Sequence, residues 1–298
     1  MPVPSLEPTG HATTPGREPP VALMHFAGRA GDHNDLAMIG SRELAGALSA
    51  RIGLEVTAVG APQPALSVGW EDELAAATPA LEAMAATLDE AFRAGLTPVT
   101  ASGRCAVALA TLPVVTRHRP DAVVVWFDAH ADLNTPETTT TGYLGGLAYS
   151  GPLGLWDSGL GRGLDPGRAV LVGARDLDPA ERELVDAGTV SLVRVGPSMA
   201  DDLRRIVGGR PVYVHVDCDV LEAGTVPTDY RVDDGMTLAD LRAAADVLTE
   251  SEVVGLEVGE LESAPDSESP PAYVVALLDA LDPLLVECLH PTTGPPVP

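Results

Sequence analysis

From residue 21 onward, short apolar runs alternate with longer stretches of helical periodicity. VALMHF (21–26), LEVTAV (54–59), LTPVT (96–100), DAVVVWF (121–127), RAVLVG (168–173), VSLVRV (190–195), PVYVHVD (211–217) and EVVGLEV (252–258) read as strands. DAVVVWF is apolar at every second and every intervening position, the pattern of a strand covered on both faces. Helices are expected at 37–50, 72–94, 105–118, 179–187, 198–207, 237–249 and 271–285. Strands that alternate with helices predict an α/β fold, with a mostly parallel sheet of about eight strands. No linker or internal repeat interrupts this order, so residues 21–298 are expected to form one domain. The first twenty residues are rich in Pro, Gly and Thr and predict a disordered tail over 1–20.

Composition narrows the function classes. The chain has 298 residues, a net charge of −25 and a pI near 4.4, and all its basic residues are Arg. Such acidity leaves nothing to neutralise phosphates, so no nucleic-acid partner is expected, and no anionic lipid surface. It suits a protein that handles cations, either metal ions or a basic small molecule. No run approaches the roughly 18 apolar residues of a membrane span, and the N-terminus has no signal-peptide pattern. Three widely spaced cysteines, Cys105, Cys218 and Cys288, do not suggest a disulfide framework. A reducing cytoplasmic location is the simpler expectation.

Two strand ends carry the chemistry. DAVVVWF runs into Asp128, His130 and Asp132 at alternate positions, which face one side of an extended chain. PVYVHVDCD repeats the pattern with His215, Asp217 and Asp219. Carboxylates crowded at the end of an apolar strand need a counter-charge. A single such ending is often only a helix cap or a solvated turn. Two matching endings in one sheet point instead to a shared pair of divalent ions. An EF-hand loop starting at Asp128 fails, because its sixth residue is Leu133 and its twelfth is Thr139. Oxygen-rich ligation favours Mn²⁺ over a structural Zn²⁺ site.

DAHADLNTPETTTTG (128–142) resembles the first signature of the arginase, agmatinase and formimidoylglutamase family, the ureohydrolases. Asp217 and Asp219 followed by Pro227 are similar to the second, and GLEVGE, with Glu257 and Glu260, to the third. Arg175, Asp176, Asp178, Pro179 and Glu181 match a fourth segment. The resemblance implies a three-layer α/β/α fold with two Mn²⁺ ions at the carboxyl edge of the sheet. It implies hydrolysis of a C–N bond in a small guanidino or amidino substrate by a metal-bridging hydroxide. Carried over, Asp128 and Asp217 bridge the metals, His130 and Asp219 complete one, and Asp132 serves the other. Asp132, Glu260 and Glu257 are the expected catalytic residues. Asn134, Thr141, Asp178, Glu181 and Glu260 are the expected substrate contacts, with Glu260 holding the guanidinium by paired hydrogen bonds. A homo-trimer or homo-hexamer is also implied.

The chain departs from the family at chosen points. Where the family has G-G-D-H, with His a metal ligand, this chain has SGRC, so Cys105 takes the ligand position. Its alternative is a small buried filler; a helix start, which lowers thiol pKa, favours the ligand reading. A thiolate adds negative charge and weakens hydroxide formation. It also opens one site to Ni²⁺, Co²⁺, Fe²⁺ or Zn²⁺. The proton-shuttle His of S-G-N-x-H-G is absent from TGYLGG, with Gly145 in its place and Tyr143 for the Asn. Arg231 lies near where the family has a small Thr, and His215 reads first as a packed histidine, with support for the altered ligand site as the alternative. A Cys ligand resembles the N-omega-hydroxy-arginine amidinohydrolase-like members. An N-hydroxyguanidine is less basic than a guanidine and needs a weaker nucleophile. The competing expectations are a catalytically silent member that keeps metal as a scaffold, and a deacetylase of the same broad fold.

Overall fold

The computed structural model describes residues 21–265 and 270–291. The expected disordered tail, 1–20, lies outside these residues. In chain order the elements are β1 (Val21–Phe26), α1 (Leu36–Ile52), β2 (Thr57–Val59), α2 (Trp70–Arg93), β3 (Thr97–Ala101), α3 (Ala108–His118), β4 (Val123–Phe127), β5 (Ala169–Val172), α4 (Pro179–Asp186), β6 (Ser191–Val193), α5 (Met199–Val207), β7 (Val212–Asp217), α6 (Leu238–Leu248), β8 (Val253–Gly259) and α7 (Ala272–Leu289). The strands form one sheet in the order β2-β1-β3-β8-β7-β4-β5-β6. Every pairing is parallel. The α/β expectation with about eight strands is therefore met.

Alternation along the strands builds two cores. Val123, Val125 and Phe127 of β4 face the core covered by α1, α5, α6 and α7. Val124 and Trp126 face the core covered by α2 and α3. The result is three layers. The two outer strands are shorter than their apolar runs, with β2 and β6 each three residues long. Each pairs on one side only, so part of each run finds no hydrogen-bonding neighbour.

The sheet order places the carboxyl ends of β3, β8, β7 and β4 side by side. Ligands in open parallel sheets bind outside those ends. The ends are laced together by the backbone: Ser102 N–H donates to Val258 O at 2.9 Å, and Glu260 N–H to Gly103 O at 3.0 Å. Helix α1 lies close under the segment after β8. A Cβ on Gly40 would stand 1.9 Å from Leu261 O, so only glycine allows this approach. Gly40→Ala should therefore destabilise the protein by about 1–3 kcal/mol and disturb Glu260 beside it. Unchanged denaturant unfolding in the variant would show that α1 does not set this segment.

Candidate functional site

Strand β4 is followed at once by Asp128, which is fully buried. Its Oδ2 accepts from Trp126 Nε1 at 2.8 Å and its Oδ1 from His130 N–H at 2.7 Å. Across the sheet, Asp217 ends β7 and accepts from Asp219 N–H at 2.7 Å. Asp219 in turn accepts from Ala129 N–H at 3.1 Å, which ties the two strand ends together. His130 Nδ1 lies 3.3 Å from Asp128 and 3.2 Å from Asp219. Burial alone would lower this imidazole, but the hydrogen bonds and charges of the two aspartates push it up to about 12. Asp132 and Asp217 are both held well above the usual carboxylate range, first by burial and then by neighbouring carboxylates.

Three sets of potential ligand atoms converge here, each within 4.8 Å: Cys105, Asp128 and Asp132; Cys105, Asp217 and Glu260; Asp128, His130 and Asp219. The structure thus brings together all six residues expected to bind metal. Asp128 and Cys105 each belong to two of the groups, whereas Asp217, the other expected bridge, belongs to one. Buried acids without enough basic partners, in three overlapping groups, fit divalent ions.

Cys105 is buried in a 3-10 turn ahead of α3, with Sγ 3.1 Å from Asp217 Oδ2 and 3.2 Å from His215 Nε2. The helix start does not lower its thiol. Burial and then Asp217, Glu260, Asp132 and Asp128 push it up. A bound cation, which deprotonates a coordinating thiol outright, would be needed for a thiolate.

The pocket beside these groups, about 190 Å³, is lined by His130, Asp132, Asn134, Thr141, Tyr143, Asp178, Glu181, Tyr230 and Glu260, among others. All the expected substrate contacts reach it. Glu181 has a second task, closing a capping box at α4 while also accepting from Leu133 N–H. Arg175 does not line the pocket. Its guanidinium donates to the carbonyls of Gly173, Asp219, Val220, Val232 and Asp233, which pins the loop carrying Tyr230. Arg231 is exposed. Asp132 and Glu260 both hold left-handed backbone, φ 53° and 60°. Such strain in non-glycine residues gathers at functional sites.

Glu257 is not brought to the pocket. It is fully buried beneath it, where Oε2 accepts from Thr111 and Tyr213 at 2.8 and 2.9 Å. Its Oε1 faces His215 Nδ1 at 4.0 Å, and neither atom has a hydrogen-bond partner. His215 stacks on Trp126 with ring centroids 3.6 Å apart, which fits the packed reading.

Gly145 and Tyr143 are coupled. A Cβ on Gly145 would stand 2.4 Å from Tyr143 Cε1, so the tyrosine ring covers the place from which a shuttle side chain would grow. Tyr143 Oη donates to Glu260 Oε1 at 3.2 Å. Sequence reasoning missed Arg104, Asp32 and Tyr230 as site residues. An arginine in an otherwise small and apolar turn, in a chain poor in basic residues, was the available signal for the first.

Known proteins of similar sequence place the site in context. The family model described as "Arginase family" matches residues 36–281. An N(omega)-hydroxy-L-arginine amidinohydrolase of Streptomyces lavendulae is 43% identical over 263 residues, covering 88% of this chain and 96% of that protein. The chain belongs to the arginase family. Another arginase-family relative, the arginase of Bacillus caldovelox, is 27% identical over 228 residues, 70% of this chain and 76% of that one. Its crystal structure superposes with a TM-score of 0.72 at 22% identity, covering 88% of this chain and 98% of that chain. The proclavaminate amidino hydrolase of Streptomyces clavuligerus gives 0.69 at 19%, covering 92% and 94%. These likenesses confirm the arginase fold.

Burial pushes Glu257 from 4.5 up to about 7, against the hydrogen bonds of Thr111 and Tyr213. A raised carboxyl contributes stability that is full below pH 4.5 and lost as pH rises through 7. Glu257→Gln should therefore gain on the wild type by roughly 3 kcal/mol between those limits. Urea unfolding at pH 5 and pH 8 measures this, and a difference independent of pH would contradict it.

Proposed function

We propose that this arginase-family hydrolase is a metal-dependent amidinohydrolase that cleaves a C–N bond in an arginine-like N-hydroxyguanidino compound. One observation carries the reading: Asp128, His130, Asp132, Asp217, Asp219 and Cys105 converge beside a small acid-lined pocket. The 43% identity to an N(omega)-hydroxy-L-arginine amidinohydrolase supports the N-hydroxyguanidine over a plain guanidine.

The proposed metals are two Mn²⁺ per chain, with Ni²⁺, Co²⁺, Fe²⁺ or Zn²⁺ accepted at the Cys105 side. Divalent ions, when bound, supply a nucleophilic water at neutral pH and neutralise the carboxylates. The chain's own residues do the rest. Asn134, Thr141, Asp178 and Glu181 receive the amino-acid end of the substrate. Glu260 accepts a hydrogen bond from the amidine nitrogen and orients its carbon. Water adds to that carbon, and the proton it loses passes to an Asp132 carboxylate oxygen. Asp132 then returns that proton to the departing chain nitrogen. The products are an amine and N-hydroxyurea. Less help from a shuttle histidine is needed, because an N-hydroxyguanidine is less basic than a guanidine and more of it is neutral at pH 7. Glu257 acts from below as a positioning residue: Thr111 and Tyr213 hold it, and its Oε1 faces Nδ1 of His215 at 4.0 Å, whose Nε2 lies 3.2 Å from Cys105 Sγ. The family assembly suggests a homo-trimer or homo-hexamer in the cytoplasm. Among the described residues no helix is long and apolar enough to cross a membrane.

The test is a panel of L-arginine, N-omega-hydroxy-L-arginine, agmatine, guanidinobutyrate and formimidoylglutamate, assayed with Mn²⁺, Ni²⁺ and Co²⁺ separately. N-omega-hydroxy-L-arginine should be preferred. In Cys105→His, which removes one negative charge, the preference over L-arginine should fall by about tenfold or more. Absence of turnover with every compound and metal would instead favour a silent scaffold.

A further inference from the structure

Arg104 is buried with its side chain fully inaccessible, in a protein with a large excess of acids. Its guanidinium is held on every edge. Nε donates to Asp32 Oδ1 at 3.1 Å, Nη1 to Glu260 Oε2 at 2.7 Å, and Nη2 to Glu262 Oε1 at 3.2 Å. Asp229 Oδ2 stands 3.5 Å from Nη1. The acids are themselves fixed. Asp32 accepts from Ala30 N–H at 2.8 Å, Glu262 from Asn34 at 3.0 Å, and Asp229 pairs with His33 at 2.9 Å. Arg104 therefore has no free path by which to swing off Glu260.

That position matters for what Glu260 can still bind. An ionised carboxylate offers about four acceptor sites. Arg104 takes one on Oε2, while Cys105 N–H at 2.9 Å and Tyr143 Oη at 3.2 Å take two on Oε1. About one remains for a ligand. The sequence reading expected Glu260 to hold a substrate guanidinium through paired hydrogen bonds. A guanidinium from the chain itself already holds one oxygen, so the paired fork is pre-empted.

We propose that Arg104 is a specificity-determining residue, a built-in guanidinium on Glu260 that rejects cationic guanidines and admits neutral N-hydroxyguanidines. The inference rests on the proposed amidinohydrolase reading. A cationic guanidine entering the pocket would share one carboxylate with Arg104 and find one acceptor site where its paired fork needs two. A neutral N-hydroxyguanidine has no such charge to pair and needs only the one remaining acceptor site. Asp32, Glu262 and Asp229 hold Arg104 in place so that the arriving ligand cannot displace it.

The experiment compares wild type with Arg104→Gln, which keeps polarity and removes the charge. Calorimetry on Mn²⁺-loaded protein gives the Kd of L-arginine, and kinetics give kcat and KM for L-arginine and N-omega-hydroxy-L-arginine. The variant should bind L-arginine about tenfold or more tightly, because a charge-assisted hydrogen bond is regained. The kcat/KM ratio favouring the N-hydroxy compound should fall by a similar factor, through KM. If Arg104 only stabilises the fold, both compounds weaken together, and an unchanged ratio with an unchanged L-arginine Kd overturns the proposal. Should Arg104→Gln not fold, the wild-type structure with N-omega-hydroxy-L-arginine bound decides. Arg104 still on Glu260, with at most one ligand hydrogen bond to that carboxylate, supports the proposal. A ligand on both Glu260 oxygens with Arg104 displaced overturns it. Turnover of neither compound by wild type would remove the proposed function, while the L-arginine Kd would still decide Arg104.

Discussion

Everything in this site follows from burying carboxylates together. Asp128, Asp132, Asp217, Asp219 and Glu260 are each 6% exposed or less. They meet because four neighbouring parallel strands end at one edge. Ionised carboxylates at such range repel one another, and leaving water adds to the cost. The chain supplies two cationic partners of its own, His130 against Asp128 and Asp219, and Arg104 against Glu260. The charge left over is what makes the edge a receptor for cations. The left-handed backbone at Asp132 and Glu260 is held there by the lacing of β3, β8 and the loop after β4.

The departures from the arginase pattern act as one set. Cys105 for His adds a thiol whose proton is held tightly until a cation displaces it. Tyr143 for Asn lays its ring where a side chain at position 145 would begin, which makes Gly145 a steric requirement. Arg104 and Tyr143 then both bind Glu260, one on each oxygen. Under the proposed function, the three changes together suit a less basic amidine better than a cationic guanidine.

Much of this was legible in the sequence. The strand runs of β1, β4 and β7 matched the observed elements to within two residues, because apolar β-branched runs between turn residues are read directly from alternation. The metal-group residues were legible from their spacing, but not for the reason expected. β4 stops at Phe127, Asp132 has left-handed backbone and Asp219 lies in a 3-10 turn, so turns after the strands, not strand alternation, aim them together. Depth was not. Glu257 lies three residues before Glu260, yet it points into the core with Thr111 and Tyr213 while Glu260 faces the pocket. Local patterning also cannot pair residues across the chain. Asp32 and Arg104 are 72 positions apart, and Arg104 and Glu260 are 156 apart. The effect of Cys105's helix start was outweighed by burial and then by four carboxylates that the sheet order brings near.

The central claim is that this acidic edge exists to hold a pair of divalent cations. Mn²⁺ titration of chelator-treated protein, with stoichiometry by elemental analysis and unfolding followed at each point, tests it directly. The account predicts two ions bound per chain and stability that rises with metal as the carboxylate repulsion is neutralised. A protein that binds no ion and unfolds identically with and without Mn²⁺ would contradict it.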